Sequence, residues 1–373
     1  MAKNPTIEAL NQLGQSIWYD NLSRDVLNSG ELKKIIDAGV SGLTSNPTIF
    51  KKAIADSADY DDRLKELASS GLNTEEICEE LMIEDVGQAA DLLRPVYEES
   101  NGADGFTSIE VSPFLADKTA QTVEAAKRLW SKLKRPNIMI KVPATPEGIP
   151  AIEELLYEGI NVNVTLIFSV DVYAAVVDAY LKGLERRKKE DKAIDKISSV
   201  ASFFVSRVDA ICEKYFDTLV EQGKTTAQQR ESFLGKVGVA NSKLAYNYFE
   251  KEFSGQRFSE LGSVAGVQRP LWASTGTKNP DFRKTLYVEE LAGKNTVNTV
   301  PPVTLNALMQ GIEVSARLHQ GLDQAKEIIA TVKELGIPFE DLLLELQIKG
   351  VKAFADSYRD LLESLESKQK SLG

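Results

Sequence analysis

Histidine is almost missing from this chain: one residue in 373, His319, alongside two cysteines, Cys78 and Cys212. A single histidine excludes a catalytic histidine pair and a histidine-rich metal centre. No Cys or His pair has ligand spacing, so no metal is expected. Two cysteines cannot build a disulfide framework and point to a reducing compartment. Both fall on helical stripes and read as core, while His319 closes a helical stretch, Ser315–His319, as a surface or packing residue. No apolar run approaches the roughly 20 residues that cross a bilayer. The opening Met-Ala-Lys-Asn-Pro lacks the apolar stretch of a signal peptide. The cytoplasm is therefore the expected location, and a membrane is not an expected partner. Positive charge is in deficit, 44 Lys and Arg against 55 Asp and Glu, a net −11. That disfavours nucleic acid as a partner, although local arginines and lysines can still hold a small anion.

What the chain does contain is an ordinary globular balance, 43% hydrophobic and 27% charged residues. Short apolar runs alternate with longer segments of helical period. The runs are Ser16–Asp20, Val40–Asn46, Gly105–Val111, Asn137–Val142, Ile160–Phe168, Ser199–Phe204, Leu271–Ser274 and Thr296–Val300. Between them, Thr119, Val123, Ala126, Leu129, Trp130 and Leu133 recur at three- and four-residue steps. The segment 206–221 behaves alike, with Val208, Ile211, Cys212, Tyr215, Phe216 and Leu219 on one stripe. Eight strand-like runs separated by helices predict an α/β fold with a parallel sheet, closed as a (β/α)8 TIM barrel. An open doubly wound sheet usually carries Gly-x-Gly-x-x-Gly after a strand, and no run here is followed by one. Additional helices are expected within 51–104, including Thr74–Glu99, within 222–268 as a pair, and after Pro338. The charged stretch Lys182–Lys196 reads as a solvated helix end and loop. No linker rich in Gly, Ser or Pro divides residues 1–373, so a single barrel domain carrying these insertions is expected.

Three apolar runs end in an ionisable residue: Ile17–Asp20, Phe106–Glu110 and Ile138–Lys141. In a barrel, the C-terminal ends of the strands share one active-site mouth. An amine held there between Ile140 and Val142 is partly desolvated, and desolvation disfavours an ammonium, which is one route to a nucleophile for carbonyls. Asn161-Val-Asn163-Val-Thr165 alternates polar with apolar, which puts the polar residues on one face, pointing into the barrel. Amides and hydroxyls there suit a polyhydroxylated ligand or an ordered water, while Asn161 reads as hydrogen-bond satisfaction at the rim. Ser202–Arg207 runs from a strand into a helix start, and Ser274-Thr-Gly-Thr-Lys278 is a turn ending in lysine. Together they form a candidate phosphate pocket. The sequons at Asn163 and Asn21 are chance matches.

Ser45-Asn46-Pro47-Thr48, Ile140-Lys141-Val142-Pro143-Ala144-Thr145 and Ile160-Asn-Val-Asn163-Val-Thr165-Leu-Ile-Phe-Ser169 together resemble transaldolase, a family of class I aldolases, from Ile17 to about Leu308. The resemblance implies a barrel that moves a dihydroxyacetone unit between sugar phosphates without a cofactor, in the pentose phosphate pathway. On that resemblance Lys141 forms the Schiff base and Asp20 exchanges the proton of the donor's C4 hydroxyl. Glu110 and Thr165 hold a proton-shuttling water, and Asn46 and Asn163 contact the dihydroxyacetone hydroxyls. Ser202, Arg207 and Ser274 bind phosphate. Many members of that family carry arginine two residues after the Ser274 position, where this chain has Gly276, so Lys278 is the candidate replacement. Relatives that release dihydroxyacetone instead of transferring it carry Gln at the Glu110 position and Tyr at the Phe204 position; this chain follows the transferase pattern at both. Two rivals stand beside the transferase. One is an aldolase releasing dihydroxyacetone; the other is a non-catalytic sugar-phosphate barrel in which Lys141 only pairs with Glu110. Sugar phosphates are the expected partners, and a homo-oligomer is compatible with the sequence.

Overall fold

The computed structural model describes residues 3–55 and 57–372. Eight parallel strands close into a barrel in chain order: β1 (Gln15–Asp20), β2 (Gly42–Thr44), β3 (Thr107–Glu110), β4 (Ile138–Pro143), β5 (Val162–Ile167), β6 (Ser199–Phe204), β7 (Arg269–Ala273) and β8 (Thr296–Val300). This is the (β/α)8 barrel that the sequence predicts, with a strand overlapping each of the eight runs, although β1, β4 and β7 extend one or two residues beyond theirs. The runs read as continuously apolar because both faces of each strand are covered. In β4, Ile138, Ile140 and Val142 pack into the helical layer while Met139 faces the barrel core.

The lower barrel is filled by Trp18, Phe106, Met139, Val200, Leu271 and Val297. Gly42 makes room for the indole, because a Cβ there would lie 2.4 Å from Trp18. Beneath this layer a charged plug closes the N-terminal end. Asp104 accepts hydrogen bonds from Trp18 Nε1 at 2.8 Å and Ser41 Oγ at 2.9 Å. Arg269 pairs with Asp104 at 3.7 Å and donates to the Thr296 carbonyl at 2.6 Å. The opposite, C-terminal end is the face on which barrels carry chemistry.

Helices Pro47–Ala55, Asp61–Ser69 and Thr74–Glu99 lie between β2 and β3. The last of these opens with a capping box, in which Asn73 and Glu76 satisfy each other's backbone N–H groups. Helices Ser206–Glu221, Ala227–Phe233, Val237–Phe253 and a single turn, Gln256–Ser259, lie between β6 and β7. The C-terminal helix, Phe339–Leu372, has 34 residues and returns to the catalytic end. It docks on Pro47–Ala55 through the Lys51–Asp360 ion pair at 2.6 Å and the Thr48–Ser357 hydroxyl pair at 2.9 Å. Phe114 and Tyr358 meet edge to face at 5.4 Å on the same seam.

One expectation fails. Ser315–His319 is not helical: residues 311–320 run as irregular chain and turn. The preceding helix, Pro302–Met309, stops because Gly311 takes φ +107, and the next begins only at Leu322 after Gly321 at φ +68. His319 nevertheless packs edge to face on Tyr246 at 5.1 Å, with Glu250 3.3 Å from its ring nitrogen. Cys78 and Cys212 are free and buried, as core residues should be.

Candidate active site

Parallel register decides which strand-end residues meet. Glu110 stands opposite Lys141 across β3 and β4, and Lys141 stands opposite Asn163 across β4 and β5. Laterally paired residues in a parallel sheet point to the same face, so all three enter the barrel together. Lys141 is 5% exposed and Glu110 6%. Lys141 Nζ lies 3.4 Å from Glu110 Oε2, an ion pair without hydrogen-bond alignment, and donates a hydrogen bond to the Ser45 carbonyl at 3.1 Å. Burial pushes the Glu110 carboxyl above the usual range; Lys141 opposes the shift and Asp20 adds to it. Glu110 Oε2 and the hydroxyl of fully buried Thr165 are both left without a hydrogen-bond partner.

Asp20 ends β1 and accepts a hydrogen bond from Thr44 Oγ1 at 2.7 Å. Thr44 in turn shares a 2.6 Å contact with Thr299 on β8. Burial raises the Asp20 carboxyl too, with Lys141, Thr44, Lys278 and Arg207 pulling it back in that order. Two carboxyls that resist ionisation therefore bear on one buried lysine, with Glu110 in direct contact and Asp20 acting through space.

All the predicted residues except Glu110 and Asn163 line one cavity of about 620 Å³ at this end of the barrel. Glu110 joins it through Lys141. Asn163 lies beneath, donating to Ser108 Oγ at 3.0 Å and accepting from Ser202 Oγ at 2.7 Å. The Ser202 hydroxyl is thus committed deep in the barrel. Asn161 donates to the Pro136 and Ile138 carbonyls, the rim satisfaction expected of it. Asn46 caps the helix Pro47–Ala55, accepting from Ile49 N at 3.0 Å through Oδ1, which leaves its amide NH₂ for the cavity.

Besides Lys141, the cavity is lined by three cations: Lys52 on the helix Pro47–Ala55, Arg207 and Lys278. Arg207 begins the helix Ser206–Glu221, its guanidinium 5.1 Å from the Phe204 ring centre. Ser274 adopts φ +54, and its carbonyl accepts from Ser206 N at 3.1 Å while the two hydroxyls meet at 3.0 Å. That ties the loop after β7 to the start of the Arg207 helix. Lys278 lies further along the same loop and lines the cavity. Among the described residues neither Arg207 nor Lys278 forms an ion pair, though both act on Asp20 through space. Gly276 sits against Pro301, where an added Cβ would lie 3.1 Å from the ring. A side chain at 276 requires Pro301 to shift.

Phe354 completes the lining from the C-terminal helix, its ring centre 5.7 Å from Lys141 Nζ. The sequence reading names neither Phe354 nor Thr299. Thr299 was accessible, since strand alternation puts it on the inward face with Val297. Phe354 carries no local signal, because nothing near it in sequence says that its helix returns to the barrel mouth.

The fold and site define a barrel enzyme built around one buried lysine attended by two carboxyls. The chain belongs to the Transaldolase/Fructose-6-phosphate aldolase family, whose sequence profile matches residues 17–365. The match continues past Leu308, where the motif resemblance ended, into the C-terminal helix. The chain is 43% identical over 379 residues to a protein named Transaldolase 2 from Nostoc sp. PCC 7120, covering 100% of this chain and 99% of that one. It is 44% identical over 372 residues to a Transaldolase from Saccharopolyspora erythraea, covering 98% of each. It is 44% identical over 376 residues to a Transaldolase from Mycolicibacterium paratuberculosis, covering 100% of this chain and 98% of that one.

Proposed function

We propose that this protein is a transaldolase that carries a dihydroxyacetone unit between sugar phosphates on a Schiff base at Lys141. The observation that carries this reading is a lysine 5% exposed, 3.4 Å from a buried glutamate, at the catalytic end of a barrel of this family. The Lys141 amine adds to C2 of fructose 6-phosphate, and the carbinolamine loses water to give a protonated imine. Glu110 Oε2 and Thr165 Oγ1, buried and unpartnered, suit a water that moves protons during that dehydration. Asp20 takes the C4 hydroxyl proton as the C3–C4 bond breaks, and the electron pair flows into the imine. Glyceraldehyde 3-phosphate leaves and an enamine stays on Lys141. Erythrose 4-phosphate then adds to the enamine, and the same steps in reverse release sedoheptulose 7-phosphate. The charges of Arg207 and Lys278 at the mouth suit the substrate phosphate.

Glu110 and Phe204 both favour transfer over release. Phe204 has no hydroxyl with which to position a proton-donating water near the enamine carbon. Both cysteines are buried thiols, which supports the cytoplasm as location; among the described residues no helix is long and apolar enough to cross a membrane. Return of the C-terminal helix to the barrel mouth supports one domain for the whole chain.

Borohydride reduction with fructose 6-phosphate tests the reading. A mass increase is expected on Lys141, together with rapid sedoheptulose 7-phosphate formation when erythrose 4-phosphate is present and slow dihydroxyacetone release when it is not. Comparable rates of transfer and release would favour the releasing aldolase. No adduct on Lys141 would leave the non-catalytic barrel.

A further inference from the structure

We propose that Phe354, on the C-terminal helix, shields the Lys141 enamine from solvent and so sets the partition between transfer and release. The inference rests on the Schiff-base reading above and assigns a specificity role to a residue outside the barrel.

Phe354 is 6% exposed, lines the cavity, and places its ring centre 5.7 Å from Lys141 Nζ. Its position is fixed by neighbours on its own helix. Gln347, buried, donates from Nε2 to the Ala144 carbonyl at 2.9 Å and the Leu166 carbonyl at 3.1 Å. Ala144 directly follows β4 and Leu166 lies in the last residues of β5, so both carbonyls sit just beyond Lys141 and Thr165. Gly350 lets the helix approach this closely, since a Cβ there would lie 2.9 Å from Leu166 Cδ2. Gln347, Gly350 and Phe354 are spaced three and four residues apart, hence on one helical face. The helix is thus locked onto the two strands that carry Lys141 and Thr165.

The polar atoms around Lys141 lie on the barrel side: Glu110 Oε2, Thr165 Oγ1 and the Ser45 carbonyl. The C-terminal helix lies on the solvent side, and what it offers at Lys141 is an aromatic face. That face suits the positive imine nitrogen and supplies no proton. Release needs a proton on the enamine carbon, then addition of water at C2 and departure of the Lys141 amine. The net change is enamine plus one water to amine plus dihydroxyacetone. Transfer needs no water until the new carbon–carbon bond has formed. A ring that excludes solvent at this point slows the first branch and leaves the second open.

The test compares wild type, Phe354→Ala and Phe354→Leu for dihydroxyacetone release without acceptor and sedoheptulose 7-phosphate formation with erythrose 4-phosphate. Borohydride labelling of Lys141 monitors imine formation in each. The release-to-transfer ratio is expected to rise at least tenfold in Phe354→Ala and to return towards the wild-type ratio in Phe354→Leu, with labelling retained. A merely structural role would lower both rates together, and an unchanged ratio in folded variants overturns the proposal. If Phe354→Ala does not fold, Phe354→Val decides, because it removes the ring but keeps an apolar side chain: a raised ratio supports the shield and an unchanged one overturns it. Absence of label on wild-type Lys141 would overturn the Schiff-base reading itself, and this inference with it.

Discussion

Replacing Lys141 by methionine keeps most of the stem's volume and removes its charge, which isolates the electrostatics of the site. At the observed 3.4 Å, an effective dielectric of about 20 gives an attraction of about 5 kcal/mol. Part of that loss is offset, because the desolvation of the lysine disappears with it. Glu110 is then buried without its counter-charge. Burial already holds its carboxyl above the usual range, so it relieves the stress by keeping a proton. Asp20, which Lys141 also pulls back, moves the same way. In the variant the folded protein binds these protons more tightly than the unfolded chain does. Stability therefore falls as pH rises from the ordinary carboxyl range, near 4, through the raised folded values. We expect Lys141→Met to be about 3 kcal/mol less stable than wild type at pH 8, and no more than about 1 kcal/mol less stable at pH 5. Urea unfolding of wild type, Lys141→Met, Glu110→Gln and the double variant at both pH values measures this as a double-mutant cycle. Glu110→Gln should recover most of the pH 8 loss. A deficit that is equal at the two pH values, or that Glu110→Gln does not relieve, refutes the buried-pair account of the site.

Asp20→Asn should slow transfer by ~10²–10⁴-fold while borohydride still labels Lys141; loss of label in a folded variant would move Asp20 into imine formation. Because the Asp20 carboxyl is raised, the acid limb of the wild-type rate profile should lie above the ~3.9 of an ordinary aspartate, and a limb at or below that value would contradict the electrostatics. Lys278→Ala should raise KM for fructose 6-phosphate by roughly tenfold with little change in kcat, as loss of a uniform charge contact does; an unchanged KM removes Lys278 from phosphate binding. Asp209 accepts from Gly238 N and the Tyr287 hydroxyl, each at 2.7 Å, and burial pushes its carboxyl from 3.8 up to about 7. The folded state holds that proton more tightly, so Asp209 should remove about 2.5 kcal/mol of stability as pH rises from 5 to 8. Asp209→Asn lacks the titration, and a wild-type-minus-variant difference that stays constant across that range in urea unfolding would contradict this.

The barrel was legible because each strand is covered on both faces and announces itself as a short apolar run, with helices between. The candidate trio at the strand ends was legible for a related reason: Asp20, Glu110 and Lys141 interrupt or end runs that should otherwise stay apolar. Their mutual geometry was not. Glu110 and Lys141 are 31 residues apart, and only the β3–β4 register, fixed by packing along the whole barrel, brings them to 3.4 Å. Ser202 shows the same division. Its place beside Phe204 and Arg207 was legible and it lines the cavity, but its hydrogen bond to Asn163 Oδ1 depends on the β5–β6 pairing. His319 was misplaced because Ser315–His319 has helical composition, while the decisive residue, Gly311, lies upstream and bends the chain through a positive φ. Phe354 was invisible because its role depends on where a 34-residue helix docks, and no local pattern encodes docking.

The charge distribution explains how a protein of net −11 is suited to anionic substrates. Beyond about 8–10 Å, salt screens the overall charge, so the cations within a few ångströms of the substrate decide the outcome. Elsewhere the basic side chains are largely engaged, as in Arg257 with Asp178 and Glu185, Arg186 with Glu153 and Glu154, and Arg128 with Glu79. Three cations line the cavity without a carboxylate in contact among the described residues: Arg207, Lys278 and Lys52. Burial lowers the affinity of the Arg207 guanidinium for its proton, with Asp20 countering through space, so a phosphate arriving beside it would relieve part of the desolvation that the fold imposes. The same arrival would strengthen the positive field's opponent at Asp20, raising its carboxyl further and favouring proton uptake there. On the mechanism proposed above, phosphate binding at the rim and proton transfer at Asp20 would be coupled through one set of charges, linking substrate recognition to the carbon–carbon step without any moving part.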